Sequence, residues 1–273
     1  MSEGSQGGIV RSAGRAPTRR DVITLCAGIA ALGMVPAPDS AFASEGEVYA
    51  FHGSEFKTLV FAVSVRLSES ASARVRVHTR GPSWEVFIGE RLPEITKLPA
   101  GARSFVGWTP EPKPRHLVVI ETPAAALPRG ELAVWAEIFG VGGGRYRVGG
   151  PIAARLLAEV PTVAQIYHTA DPAHDCGLFG KTLSERIAAR SADPNSLGAT
   201  VRSERLLKVL LPDALPFDPE RPAGFSFANQ NGRRPSDYVA DIIATILAGV
   251  PTRAAPTSMP FEETGVFPYF ECA

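Results

Sequence analysis

Between residues 47 and 138 the apolar positions fall into short runs broken by glycine and proline, several of them with a two-residue period. Side chains on an extended strand point alternately to its two faces, so this pattern predicts β-strands. Glu47–His52 is an alternating, aromatic first run, and Gly53-Ser54-Glu55 after it reads as a turn. Thr58–Val65 is almost continuously apolar and rich in β-branched residues, which predicts a strand buried on both faces. Ala73–His78 alternates strictly and places Arg74, Arg76 and His78 together on an outer face. Trp84–Gly89, Ser104–Trp108, His116–Glu121 and Leu132–Ile138 continue the series, and Pro110–Pro114 and Pro128–Gly130 punctuate it. No helical crossover separates these strands, so the pattern predicts an antiparallel, sandwich- or barrel-like sheet.

After Pro151 the period lengthens. Ile152, Leu156 and Leu157 suggest a helical turn or an extended segment on the sheet, and Asp171–Cys176 is a turn cluster. Leu178–Arg190 reads as a helix with Leu183 and Ile187 one turn apart, and Ser203–Leu211 as a shorter helix ended by Pro212. Ser191–Ser196 between them reads as a loop, and Pro216, Pro219 and Pro222 keep the next segment extended. A closing helix follows. Ser236 is a suitable N-cap, Asp237 puts negative charge in the first turn, and Gly249 supplies a stop. Tyr238, Val239, Ile242, Ile243, Ile246 and Leu247 form its apolar face. The expected fold is α+β: a mainly antiparallel, β-sandwich-like sheet from the N-terminal two-thirds, with helices from the C-terminal third packed on it. Within one domain over 44–273, residues 44–150 are mostly β and 151–273 mostly a helical cap.

The first 43 residues change the picture of where the chain works. Thr18-Arg19-Arg20-Asp21 precedes an apolar stretch, Val22–Val35, and Ala41-Phe42-Ala43 offers a small-x-small cleavage site. Paired arginines at that position resemble a twin-arginine export signal; an ordinary secretory signal with two arginines is the alternative. Either route predicts a periplasmic or secreted protein. The apolar stretch is too short to span a bilayer comfortably, so no stable membrane span is expected after the signal is removed. Removal leaves Cys176 and Cys272, an even pair that in an oxidising compartment suggests a disulfide contributing about 4 kcal/mol by loop closure. The alternative is two unrelated cysteines. The chain has 28 basic and 28 acidic residues, and no concentrated basic face points to nucleic acid.

Few residues carry candidate chemistry. The turn Asn231-Gly232-Arg233-Arg234-Pro235-Ser236-Asp237 feeds a helix N-terminus, where free amides can hold an anion, so Asn231, Arg233 and Asp237 are candidate binding residues. The structural reading is that Asn231-Gly232 makes the turn, Asp237 favours the helix start and Arg233 ties the loop down through Asp213 or Asp241. His168, His174 and Asp175 lie close enough in sequence for a metal site; an ordinary hydrogen-bonded loop is the alternative. The row Arg74, Arg76, His78 either contacts an anion or is the wet side of a sheet. The glycines of Gly142–Gly150 lack the Lys and Ser or Thr of a phosphate loop and read as a hairpin. No Gly-x-Ser-x-Gly elbow and no C-x-x-C-H haem motif is present. No cofactor or partner follows from these residues.

Several segments, taken in order, resemble a family of exported bacterial proteins, domain of unknown function 4331. They are Val48-Tyr49-Ala50-Phe51, Leu59–Val65, Leu117–Glu121, Ala133–Trp135, Gly149-Gly150-Pro151 and Asp171–Asp175. Leu211-Pro212-Asp213, Pro222–Phe225, Asn231–Arg234 with Asp237 and Asp241, and Phe267-Pro268-Tyr269 follow. The resemblance implies one module over about residues 45–270 and brings no reaction or ligand with it. Members carry a His- and Asp-rich segment before the first strand, whereas here Ser44-Glu45-Gly46 leads straight into it. Two functions are therefore expected. One is a non-catalytic module binding a ligand or partner through the open face of its sheet, with Trp84, Trp108 and Trp135 as aromatic candidates. The other is a metal-dependent enzyme or cofactor protein using the His168–Asp175 loop.

Overall fold

A computed structural model describes residues 46–67, 72–79, 81–88, 98–108, 115–140, 144–150, 153–158, 160–190, 197–226, 229–237, 239, 242, 245 and 261–272. The expected export signal, the Ser191–Ser196 loop, Gly142, Gly143, Tyr238, Asp241, Ile243, Ile246, Leu247 and Gly249 lie outside them.

Strands come first. In chain order they are β1 (Glu47–His52), β2 (Thr58–Val65), β3 (Ala73–His78), β4 (Ser83–Ile88), β5 (Arg103–Trp108), β6 (His116–Pro123), β7 (Leu132–Gly140) and β8 (Arg145–Val148). Helices α1 (Ala153–Ala158), α2 (Pro161–Thr169), α3 (Asp175–Ala189) and α4 (Leu197–Leu210) follow. Short strands β9 (Leu215–Phe217), β10 (Gly224–Phe225), β11 (Gln230–Asn231), β12 (Phe261–Glu263) and β13 (Phe270–Cys272) end the described chain. The molecule is α+β, with sandwich-like sheet packing. One sheet runs β1-β2-β6-β5; the other runs β4-β3-β7-β8 with β9 added on β7. Every pairing in both is antiparallel.

The two sheets face each other across one core. From the first come Val48, Ala50, Leu59, Phe61, Val63, Val118 and Ile120; from the second come Val75, Val77, Trp84, Val86, Val134, Ala136 and Ile138. The Phe61 and Trp84 rings meet at 5.1 Å between centroids. Each fully buried large side chain here contributes about 1.5–3 kcal/mol relative to solvent exposure. The same core runs into the helices through Leu156, Leu157, Tyr167, Phe179, Leu183 and Ile187. The spacing of Leu183 and Ile187 that predicts a helix is thus the spacing that buries both. The closing helix is helical at residues 239, 242 and 245; Val239 is buried and Ile242 packs on the core half-buried.

The first sheet is covered on its second face too. Tyr49, Phe51, Val60, Ala62, Leu117 and Val119 pack there against Tyr269 and Phe270 of the C-terminal segment. That is why Thr58–Val65 is apolar at consecutive positions: both faces of β2 are buried. Glu121 pins the segment, accepting from Tyr269 Oη at 2.7 Å, from Thr58 Oγ1 at 2.6 Å and from Arg103. The second sheet differs. β3 alternates buried and half-buried residues along its whole length, so its outer face meets water.

Candidate functional site

The turn 231–237 is stitched into the fold at each residue expected to bind. Asn231 is buried; its Oδ1 accepts from the Asp218 amide at 2.6 Å, and its Nδ2 donates to the carbonyls of Asp218, Arg221 and Pro222 at 2.9–3.1 Å. Gly232 has φ +69°, and a Cβ there would strike the Ala50 carbonyl oxygen, so glycine is needed for the close backbone approach. Arg233 pairs in a β-bridge with Ala50, stacks over Tyr49 at 4.7 Å and reaches Glu47 at 3.3 Å. Of the two ties expected, to Asp213 or Asp241, the second lies outside the described residues; in place of the first Arg233 meets Glu47, because the bridge to β1 aims it at the start of that strand. Asp237 accepts from the amides of Arg234 at 2.7 Å and Phe225 at 2.9 Å. Ser236 gives both its amide and its hydroxyl to Glu263, which ties the turn to the C-terminal hairpin. Asn231, Arg233 and Asp237 are each held by groups of the chain itself, while the buried Nε and Nη1 of Arg233 have no hydrogen-bond partner among the described residues.

His168, His174 and Asp175 are separated in role. His168 belongs to α2, a short 3-10 turn spans Pro172–His174, and Asp175 opens α3. His174 is exposed, whereas His168 and Asp175 are buried on either side of Arg147. Arg147 donates through Nη2 to both Asp175 oxygens, at 2.9 and 3.0 Å, and through Nη1 to the Ala170 carbonyl at 2.8 Å. Its guanidinium lies 4.1 Å over the Tyr167 ring. His168 Nδ1 accepts from the Arg147 amide at 3.2 Å, and burial together with the Arg147 charge lowers the imidazole to about 4. Asp175 also accepts from the Asp213 amide, and Asp213 in turn accepts from the Gly150 amide and the Tyr167 hydroxyl. Burial pushes Asp213 up to about 6, against the pull of Arg147. This network joins β8, α2, α3 and the segment after α4. Among the described residues no group of three or more His, Cys, Asp or Glu side chains is placed to hold a metal.

Cys176 follows Asp175 in the first turn of α3 and carries a free, exposed thiol. No bridge joins it to Cys272, the Cys272 side chain lying outside the described residues.

The outer face of the second sheet gathers the remaining chemistry in rows set by register. Arg74 of β3 pairs with Phe139 of β7, which pairs with Arg145 of β8. In the next row Glu85 of β4, Arg76, Glu137 and Arg147 succeed one another across the strands. In the third row His78 faces Trp135. The Arg74, Arg76 and Arg145 guanidiniums surround the Phe139 ring at 4.9, 5.1 and 5.9 Å from its centroid. The His78 and Trp135 rings stack at 4.8 Å and 6°. Glu137 accepts from His78 Nε2 at 2.9 Å and from Arg145. Burial alone would raise its carboxyl, but these hydrogen bonds outweigh it and hold Glu137 at about 2. Glu85 takes Arg74 at 2.9 Å and Arg76 at 3.2 Å. Three arginines thus share two carboxylates, and their side chains stay 34–40% exposed.

Of the three tryptophans, Trp84 is buried between the sheets, Trp135 is half-buried on this outer face, and the Trp108 side chain lies outside the described residues. The alternation of Ala73–His78 marks half of the face in advance. Phe139, Glu137 and Arg145 enter it through the pairing of β3 with β7, more than 50 residues further along the chain, and of β7 with β8, which no local period reveals. No family model matches the chain, and no curated protein matches it.

Proposed function

We propose that the chain is an exported, non-catalytic module that binds a ligand or partner through the outer face of the β4-β3-β7-β8 sheet. The observation that carries this reading is the cluster of three half-exposed arginines around Phe139, with the Trp135–His78 stack beside it. A guanidinium held against an aromatic ring loses little freedom on meeting an anion, and its fork is pre-oriented for two hydrogen bonds. On the first sheet, Tyr269 and Phe270 cover the outer-face residues of β1, β2 and β6. A metal-dependent activity at 168–175 has no observation in its favour, because Asp175 is taken by Arg147 and the Asp213 amide. The periplasmic or secreted location follows from the twin-arginine-like opening of the sequence.

Arginine-directed footprinting tests the binding face. Phenylglyoxal modification of Arg74, Arg76 and Arg145, read by mass spectrometry, is compared between purified protein and protein in the exported fraction of producing cells. Protection of these three in the exported fraction, with the exposed Arg221 of the loop before β10 unaffected, is the expected result. Equal modification in both samples would overturn the reading.

A further inference from the structure

We propose that β5 is a docking edge for a second copy of this chain, the two β5 strands pairing antiparallel about a two-fold axis at Phe105. The edge belongs to the other sheet from the arginine cluster, so the proposal stands apart from the binding-face reading. The two large sheets have four edge strands, β1, β5, β4 and β8. An open edge is a template for another strand, and proteins cover or charge such edges. At β1, Ala50 gives its amide to the Arg233 carbonyl and accepts from the Arg233 amide. At β8, the Arg147 amide donates to His168 of α2. β4 carries Glu85 within its span. β5 has none of these devices. It keeps an unbroken register with β6 over Arg103–Trp108, contains no proline, and pairs with no strand on its other side among the described residues. Its one charge, Arg103, stands at its start and is drawn back over the sheet, donating to Glu121 and lying 4.2 Å over the Phe267 ring.

The side chains of β5 fit a copy of themselves. Across the outer face of the sheet one register row runs Tyr49, Ala62, Val119, Phe105. The first three are buried, whereas Phe105 is 37% exposed and ends the row at the open edge. In a two-fold pair centred on Phe105, the row runs on into Phe105, Val119, Ala62 and Tyr49 of the second copy. The apolar surface that one copy leaves open is then covered by the same surface of the other, as an isologous contact requires. The neighbouring positions agree. Arg103 falls opposite Gly107 of the second copy, so the two arginines do not oppose each other. Gly107 has no side chain to block that approach, and the Phe105 ring lies across it, only 2.6 Å from where a Cβ would stand. Ser104 falls opposite Val106. The open backbone of β5 would accept any extended strand; the apolar row continued through the axis is what selects a second copy.

Sedimentation equilibrium of the full exported chain tests this without a variant. One strand pair is a small interface, so a reversible equilibrium is expected, with the average mass rising toward that of a dimer as concentration rises through the micromolar range. Phe105→Lys sets two ammonium groups face to face and should weaken the dimer at least ~10-fold. Cross-linking tests the register. Opposed residues of an antiparallel pair stand about 4.5–5.5 Å apart between Cα atoms, within disulfide reach. In a background of Cys176→Ser with Cys272→Ser, Phe105→Cys should therefore form a covalent dimer on oxidation. Ala102 falls opposite Trp108 of the second copy, so the two cysteines of Ala102→Cys would stand about 20 Å apart and should not bridge. A monomer at every concentration would leave the edge to a strand of another protein and overturn the proposal. So would a dimer that Phe105→Lys leaves intact, and so would the absence of cross-linking by Phe105→Cys or equal cross-linking by the two cysteine variants.

Discussion

Asn231 and Gly232 show how much one residue can decide in this chain. Asn231 uses both ends of its amide to close the loop 218–222 onto the turn, a task that needs a donor and an acceptor on one short side chain. Asn231→Ala would leave buried backbone groups of that loop without partners and should cost about 1–3 kcal/mol, read as a lower urea midpoint at unchanged slope. Asp175 is the second case. Its two oxygens neutralise Arg147 in a fully buried setting. Asp175→Ala would strand that guanidinium and should cost about 3–5 kcal/mol in the same measurement. Both residues were visible in the sequence as part of polar turns. Their partners were not, because Asp218, Arg147 and Asp213 come from other parts of the chain.

At the scale of elements, the network joining β8, α2, α3 and the segment after α4 holds two groups of opposite pH behaviour. Asp213 is raised to about 6, so its contribution to stability is present below the ordinary aspartate value and lost as pH rises through about 6. His168 is lowered to about 4, so its contribution is present above the ordinary histidine value and lost as pH falls through about 4. The two slopes oppose each other between about pH 4 and 6.5. Asp213→Asn should therefore make stability rise more steeply with pH in that window, and His168→Gln should make it fall. Denaturant titrations at pH 4, 5, 6 and 7 check this; parallel curves for wild type and both variants would contradict it. On β7, Glu137 held at about 2 adds stability that is present above the ordinary glutamate value and lost as pH falls toward 2. Glu137→Gln should flatten that acid limb. The alternating strand β3 and the body of the helix expected over 178–190 were legible from period alone; the helix runs Asp175–Ala189, its first turn falling in what reads as a polar turn cluster. The α4 helix begins at Leu197, ahead of the expected Ser203, because weakly apolar residues precede its buried stripe.

For the molecule as a whole, the C-terminal segment acts as a seal. Tyr269 and Phe270 cover the outer face of the first sheet, with Phe51 meeting them edge-on at 5.8 and 6.1 Å. Removing residues 261–273 should uncover Tyr49, Phe51, Val60 and Val119, lower the melting temperature and raise binding of a hydrophobic dye. An unchanged melting temperature would argue against the seal. The export reading is tested separately: Arg19→Lys with Arg20→Lys should hold the chain inside producing cells if the twin-arginine route carries it, as detected by fractionation.

Local pattern by itself determined the α+β order, strands before helices, and the difference between a strand wet on one face and a strand dry on both. Those properties follow from the two-residue and 3.6-residue periods, which depend on neighbours along the chain. Tertiary structure alone decided that β3 lies beside β7, that the last residues close over the first sheet, and that Arg233 answers Glu47. These contacts join residues far apart in sequence, and their register is set by how the two sheets pack. A one-residue slip in pairing would turn Phe139 and Glu137 to the other face and dissolve the arginine cluster.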